Sequence, residues 1–218
     1  MLENNNIHKI QSYDFSIIPL LKEGFNRSQG VKGNFIGAIV IYIIIAFITN
    51  AILTIIFPSE ESNANGYIAS ILAIPVTLPI VIGITMLGIN RAKEQEVVIT
   101  SIFDYYVKLG TIISAYIMMN FLTTIGFILL IIPGIYLLIS YTFTYALIVD
   151  KGLGFWEAME LSRKTITKQW FKFFALSMLS GFLIILSSIP FGIGLIWSIP
   201  MVYISYGLLY HHLFDEED

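Results

Sequence analysis

Residues 149–173 read VDKGLGFWEAMELSRKTITKQWFKF and lie between two long apolar runs. They hold Lys151, Arg163, Lys164, Lys168 and Lys172, out of only twelve Lys and Arg in the whole chain. Apolar residues still recur through the stretch at helical spacing. Phe155, Met159, Ile166 and Trp170 share one stripe, and Glu157, Glu160, Lys164 and Lys168 oppose it. Glu160 and Lys164 form an i,i+4 pair. A helix this short does not span a bilayer. A Lys-bearing polar face and an aromatic-bearing apolar face suit the membrane interface instead.

The rest of the chain explains why an interface helix belongs here. Of 218 residues, 56% are apolar and 12% charged. Soluble domains run about 45–50% apolar and about 25% charged. Mean hydropathy is +0.80. A soluble fold of this size has too little interior for that much apolar surface, so the bilayer is the solvent and residues 1–218 read as one transmembrane domain. There is no cysteine, which excludes disulfides, thiolate nucleophiles and cysteine-ligated metals. The opening MLENNNIHKIQSYDF is polar. The first apolar run comes too late for a cleavable leader, so the first span is expected to direct insertion.

A spanning helix needs roughly 20 mostly apolar residues. Six segments qualify: 35–57, 67–90, 109–132, 135–149, 171–189 and 194–213. Pro75 and Pro79 fall inside the second and Pro200 inside the sixth, and each is expected to kink or break its helix. The turns at 58–66, 131–135 and 187–194 carry no Lys or Arg. Lys9, Lys22, Arg27 and Lys32 precede the first span. Arg91, Lys93 and Lys108 separate the second from the third. The remaining five lie between the fourth and fifth. The positive-inside rule then puts both termini in the cytoplasm, with the chain in the cytoplasmic (inner) membrane.

Each basic segment also holds a short amphipathic helix. Glu23 and Arg27 repeat the acid-then-base spacing, with Phe15, Ile18, Leu21 and Phe25 apolar. Asp104 and Lys108 repeat it again, with Ile102, Phe103, Tyr106 and Val107 apolar. Interface helix, span, tight outer turn and span thus recur over 14–90, 94–150 and 152–213. This is the pattern of a threefold parallel repeat. Offsetting the first unit by 136 residues overlays Arg27 on Arg163, Lys32 on Lys168 and Phe35 on Phe171. A hairpin-rich membrane protein without internal symmetry has the same outline, so both readings stand.

An ionisable group inside a span marks function by default, and these spans hold none away from their cytoplasmic ends. Proton-coupled transport and acid–base hydrolysis within the membrane both need one. The three histidines, His8, His211 and His212, fall outside or at the edge of the bilayer, which excludes a histidine-ligated iron centre. In the tail, His211 with Asp215 and His212 with Glu216 have ligand-like i,i+4 spacing. A frayed, acid-solubilised terminus is the plainer reading. Asn50 and Asn120 are the main polar side chains within spans and are expected to hydrogen-bond across helices. Arg163, Lys164, Lys168 and Lys172, with Trp156 and Trp170 beside them, are the best candidates for contacts to lipid headgroups; anionic lipid attracts such cations by about 1 kcal/mol each. Ordinary anchoring by basic residues and an aromatic belt accounts for the same residues.

Residues 132–136, IPGIY, are followed by Leu137, Asp150, Ala158 and Ser162. This pattern, over about 130–174, resembles the membrane domain found in some bacterial glycerophosphodiester phosphodiesterases and in related stand-alone multi-pass proteins of unknown function. Such proteins often carry an Arg near the position of Ser140 and a Trp after the serine, where this chain has Arg163. The resemblance implies fold and location, not activity, because the phosphodiesterase itself is a separate soluble barrel. Local chemistry accounts for the motif as well. Pro133 and Gly134 make a turn, and Ala158 and Ser162 let a helix lie close to a neighbour.

The expectation is an all-α, non-enzymatic membrane protein without cofactor or metal. It acts as a scaffold, a lipid-organising element or a partner-binding component. Its partners are membrane lipids and a membrane protein or a further copy of itself, not nucleic acid. A transporter or channel for an apolar, peptide or lipid-like solute is the alternative, motivated by the proline-bearing spans, and a lipid-linked enzyme comes third.

Overall fold

The computed structural model describes residues 13–58 and 63–215. His8, Lys9, Glu216 and part of the 58–66 turn lie outside them. Helix α1 (Ile17–Arg27) leads into α2 (Lys32–Ile56) and α3 (Asn63–Ala92). A 3-10 helix, Ile99–Lys108, runs directly into α4 (Leu109–Leu129). Then come α5 (Ile131–Ser140), α6 (Thr144–Lys151), α7 (Phe155–Thr167), α8 (Trp170–Ser188) and α9 (Leu195–Phe214). No strand occurs among the described residues.

Five helical segments are long and apolar enough to cross a bilayer: Lys32–Ile56, Ala64–Ala92, Ile99–Leu129, Ile131–Lys151 and Trp170–Ser188. By length and composition this is a multi-pass membrane protein. Helix α9 covers the sixth expected segment. It is 20 residues long, but Ser198, Ser205, three tyrosines and two histidines make it more polar. Its place in the bundle accounts for that. Pro200, Val202, Ile204, Ser205, Gly207, Leu209 and Tyr210 are all buried, and α9 packs on α1, α2, α3 and α8. Small residues allow this. A Cβ on Gly207 would sit 2.5 Å from the carbonyl carbon of Gly88, and one on Gly88 would sit 2.6 Å from that of Tyr203. The backbones of α3 and α9 therefore touch, the close approach that glycine permits in membrane bundles.

Of the kink or break expected at the prolines of the second span, a break is excluded, and the fourth expected span is not continuous. Pro75 and Pro79 do not break α3, which runs through both. The Thr77 hydroxyl bonds the Ala73 carbonyl at 2.9 Å, and the Tyr106 hydroxyl donates to the Val76 carbonyl. Both bonds fall on carbonyls beside the prolines, not on those of Ile71 and Pro75, which lose their helical donor. The interruption falls where no proline stands. The expected span 135–149 is divided between α5 and α6 by a turn at 141–143.

The three short segments are built into the bundle. Leu21 and Gly24 of α1 are buried, and so is Ile102 of the 3-10 helix, whose backbone lies 2.5 Å from where a Cβ on Gly83 would be. In α7, Ala158, Met159, Ser162, Thr165 and Ile166 are buried. Other apolar residues on these segments point away. Ile18, Phe25, Val107 and Trp156 are exposed. The stripe expected on α1 is thus split: Leu21 faces in, whereas Ile18 and Phe25 face out.

The core centres on Phe143. Its ring meets those of Tyr210 and Phe214 at 5.7 Å, Phe173 at 5.9 Å and Tyr206 at 6.4 Å, all edge-on. Such pairs add about 0.5–1.5 kcal/mol each beyond burial. Far from this hub the helices separate. Ile43, Phe47, Ile52, Ile55 and Ile56 of α2 are exposed, a surface that only an apolar solvent or a partner can cover.

Candidate functional site

The turn at 141–143 opens the helical ladder of the fourth segment, and its backbone groups can be followed one at a time. Tyr141 N–H donates to Leu137, Thr142 N–H to Ile139 and Thr144 N–H to Tyr141. Phe143 N–H finds no acceptor in its own segment. It donates instead to the Ser162 hydroxyl of α7 at 3.2 Å, and that hydroxyl donates to the Ser140 carbonyl at 2.8 Å. One serine therefore caps both sides of the break. Ser140, Thr144 and Thr165 surround it, fully buried, and their hydroxyls have no partner among the described residues. The result is a polar seam inside an apolar bundle.

Ser162→Ala removes the acceptor for the buried Phe143 N–H. The expected loss is about 1–3 kcal/mol, the usual cost of such an orphan, read as a lower unfolding midpoint in detergent. Lys164→Ala on the same helix should stay within about 0.5 kcal/mol. Equal effects of the two would remove Ser162 from this role.

Beside the break lies a cavity of about 280 Å³ lined by Thr85, Phe143, Ile184, Tyr203, Tyr206 and Gly207 among others. Its walls are apolar apart from a few hydroxyls, and Tyr206 shares a 2.9 Å hydrogen bond with Ser177. The shape suits an apolar chain or ring.

A charged rim joins the ends of three helices. Lys93, just after α3, bonds both carboxylate oxygens of Asp150 at 2.8 and 2.9 Å and lies 3.1 Å from Asp215. Lys151 pairs with Asp215 as well. Tyr210 donates to Asp150 at 2.9 Å, and His211 Nδ1 is 3.2 Å from Asp215. The Lys93 and Asp215 side chains are each only 13% exposed. Burial pushes the Asp215 carboxyl up, but bonds from Lys151, Lys93 and His211 outweigh it and hold the group below the usual carboxylate range. The tail is therefore not frayed up to Asp215; that residue is clamped. The spacing of His211 and Asp215 makes a side-chain hydrogen bond of 3.2 Å. The His212–Glu216 spacing lies outside the described residues. Among the described residues no three His, Asp or Glu side chains gather as a metal site.

A second set of charges ties α1 to α3. Arg27 donates to the Ala92 carbonyl at 3.1 Å, and Arg91 donates to the Arg27 carbonyl at 2.8 Å. Each arginine caps the C-terminus of the other's helix, where a cation is favoured.

The proposed headgroup residues are dispersed among partners. Arg163 binds Glu160 through two nitrogens at 2.8 and 2.9 Å, and Lys164 reaches the same carboxylate at 3.2 Å. The bond from Arg163 holds Glu160 below its ordinary value. Lys172 pairs with Asp14. Burial lowers Lys168. Trp170 stacks on Phe174 at 5.3 Å and donates to the Tyr136 carbonyl at 3.3 Å. Trp156 is 56% exposed and faces outward.

Asn50 and Asn120 correct a further expectation. Each amide donates to the carbonyl four residues back on its own helix, Ala46 and Tyr116, both at 2.8 Å. Both side chains are exposed, so neither bridges two helices of this chain.

Comparison with protein-family models, with curated proteins and with solved structures returns no match.

Proposed function

We propose that this chain is a non-enzymatic six-pass protein of the cytoplasmic membrane, with both termini in the cytoplasm. It works as a scaffold, a lipid-organising element or a partner-binding component. The charged rim carries the reading. Lys93, Asp150 and Asp215 follow the second, fourth and sixth expected spans, and they meet in one network. Helices that end together on one face have crossed an even number of times between those ends. This supports α9 as the sixth crossing, held in the centre of the bundle. The same three residues lie at the end, or two to three residues beyond the end, of the units 14–90, 94–150 and 152–213, which supports a parallel repeat. The resemblance of 130–174 to stand-alone membrane proteins accords with this placement, since Asp150, Ala158 and Ser162 all sit in internal contacts.

On this reading the short helices lie at the cytoplasmic interface. They present Ile18, Phe25 and Trp156 to the lipid boundary and Lys164, Lys168, Lys172 and Arg163 to anionic headgroups. Single cysteines replacing Asn65 and Phe191 should then react with an impermeant thiol reagent on intact cells. One replacing Lys164 should react only after permeabilisation. Labelling of the Lys164 position in intact cells would overturn the topology, and with it the rim as a cytoplasmic structure.

A transporter for an apolar or lipid-like solute is a second reading, favoured by the cavity of about 280 Å³ beside an interrupted helix. Broken helices are where transporters place their sites. Liposomes holding only this protein distinguish the two: the scaffold reading expects no solute uptake above empty vesicles.

A further inference from the structure

On the membrane-embedded reading proposed above, we infer that the exposed face of α4 carrying Asn120 is a self-association surface, covered by the same face of a second copy of this chain. Asn120 lies eleven residues from Leu109 and nine from Leu129. At 1.5 Å per residue it is about 16 and 14 Å from the helix ends. In a hydrocarbon core about 30 Å thick, that is close to the midplane. The amide uses one N–H on the Tyr116 carbonyl. Among the described residues nothing bonds its oxygen.

An acyl chain offers neither donor nor acceptor, so lipid leaves the remaining amide groups unpaired. Another helix can pair them, and hydrogen bonds between such side chains hold helices together in membranes. An asparagine is its own complement, because its amide presents a donor beside an acceptor. A twofold pair of identical faces brings each amide to the other without any further sequence. The neighbouring surface fits such a pair. Ser114, Ile117, Phe121 and Thr124 are all exposed and succeed one another at intervals of three, four and three residues. That is the seam spacing of packed helices, with small residues allowing approach and Ile117 and Phe121 filling it.

Asn50 supplies the contrast. It is exposed too, but six residues before Ile56, about 9 Å from the helix end, where water in the headgroup layer can reach it.

The chain has no cysteine, so single-cysteine variants report without background. In native membranes, Ile117→Cys and Thr124→Cys should form disulfide dimers of twice 24.6 kDa on mild oxidation. Phe182→Cys, exposed on α8, should not. Asn120→Leu should weaken self-association in detergent by about 3- to 20-fold, the range of interhelical hydrogen bonds in membranes. Asn120→Gln, which keeps the amide, should retain most of it, and Asn50→Leu should change nothing. At concentrations where the wild type is monomeric, all variants should keep its unfolding midpoint, since the face is not part of the core.

The inference fails if positions 117 and 124 give no dimer, or if Phe182→Cys cross-links equally well. It fails too if the adduct has another mass, which would mean a different protein covers this face, or if Asn120→Leu associates like wild type. Resistance to carbonate extraction tests the embedding separately. Protein released by carbonate would remove the membrane reading itself and this inference with it, whereas retained protein without dimers would remove the inference alone.

Discussion

Gly207→Val is expected to lower stability in detergent by about 3 kcal/mol or more, the upper part of the overpacking range. Two effects oppose each other here. Replacing a helical glycine by a better helix former stabilises by roughly 0.5 kcal/mol. The new side chain, however, would enter the backbone of α3, with the Gly88 carbonyl carbon 2.5 Å and the Ile89 nitrogen 2.8 Å from its Cβ. Backbone in a helix cannot swing aside as a side chain can, so α3 and α9 must separate. That separation also strips packing from Tyr203 and Ile204. Gly181→Ala in α8 is the matched control. Nothing lies within 4 Å of its added Cβ, so propensity alone should act and the variant should equal or exceed wild type. A Gly207→Val protein as stable as Gly181→Ala would mean that α3 and α9 are not in contact at this point.

The second large effect is expected from Lys93→Met. Removing one partner of a buried ion pair typically costs about 3–5 kcal/mol, because the other charge stays behind. Here Asp150 and Asp215 would stay behind with Lys151, whose side chain is 35% exposed, and with His211. The dependence on pH has a definite sign. Because the Asp215 carboxyl is held below its ordinary value, its contribution is complete above the unfolded value, about 3.9, and is lost as pH falls through the lower folded value. Wild type should therefore lose stability in that acid range. Lys93→Met should lose less, since protonation also relieves the two crowded carboxylates. The gap between the two midpoints should narrow below about pH 4. A gap that is the same at pH 7 and at low pH would assign the loss to packing of the lysine stem.

The spans were legible because a charge-free run of about 20 apolar residues has few other uses. Five segments are helical with that length and character, the fourth of them divided by the turn at 141–143. The rim was not legible. Lys93, Asp150 and Asp215 are far apart in the chain, and no local spacing rule connects them. The helix is interrupted at 141–143, where no proline stands, whereas α3 runs through Pro75 and Pro79. Each proline removes only one helical hydrogen bond, and the bonds before and after it keep α3 continuous. Residues 140–145, SYTFTY, form an unbroken run of weaker helix formers. That was the available signal, hidden by the apolar stretch around it. Asn50 and Asn120 were read as bridges because a polar side chain in a span needs a partner. The premise holds, but the partner each finds within this chain is a carbonyl of its own helix.

The capping of Phe143 by Ser162 gives the fold a direction in time. Chains are made from the N-terminus and fold as they emerge. Helices α4, α5 and α6 are complete once Lys151 has been added, yet their ladder still has one donor with no acceptor. In hydrocarbon an unpaired backbone group costs several kcal/mol. On the six-pass reading proposed above, the fourth segment then lacks one hydrogen bond of its final structure until α7 follows. The acceptor comes from α7, whose Ser162 lies 19 residues beyond Phe143. The segment that reads on paper as a surface helix is thus a clasp on an earlier one, and a chain halted between Lys151 and Ser162 would hold every residue of α5 and α6 without the group that joins them.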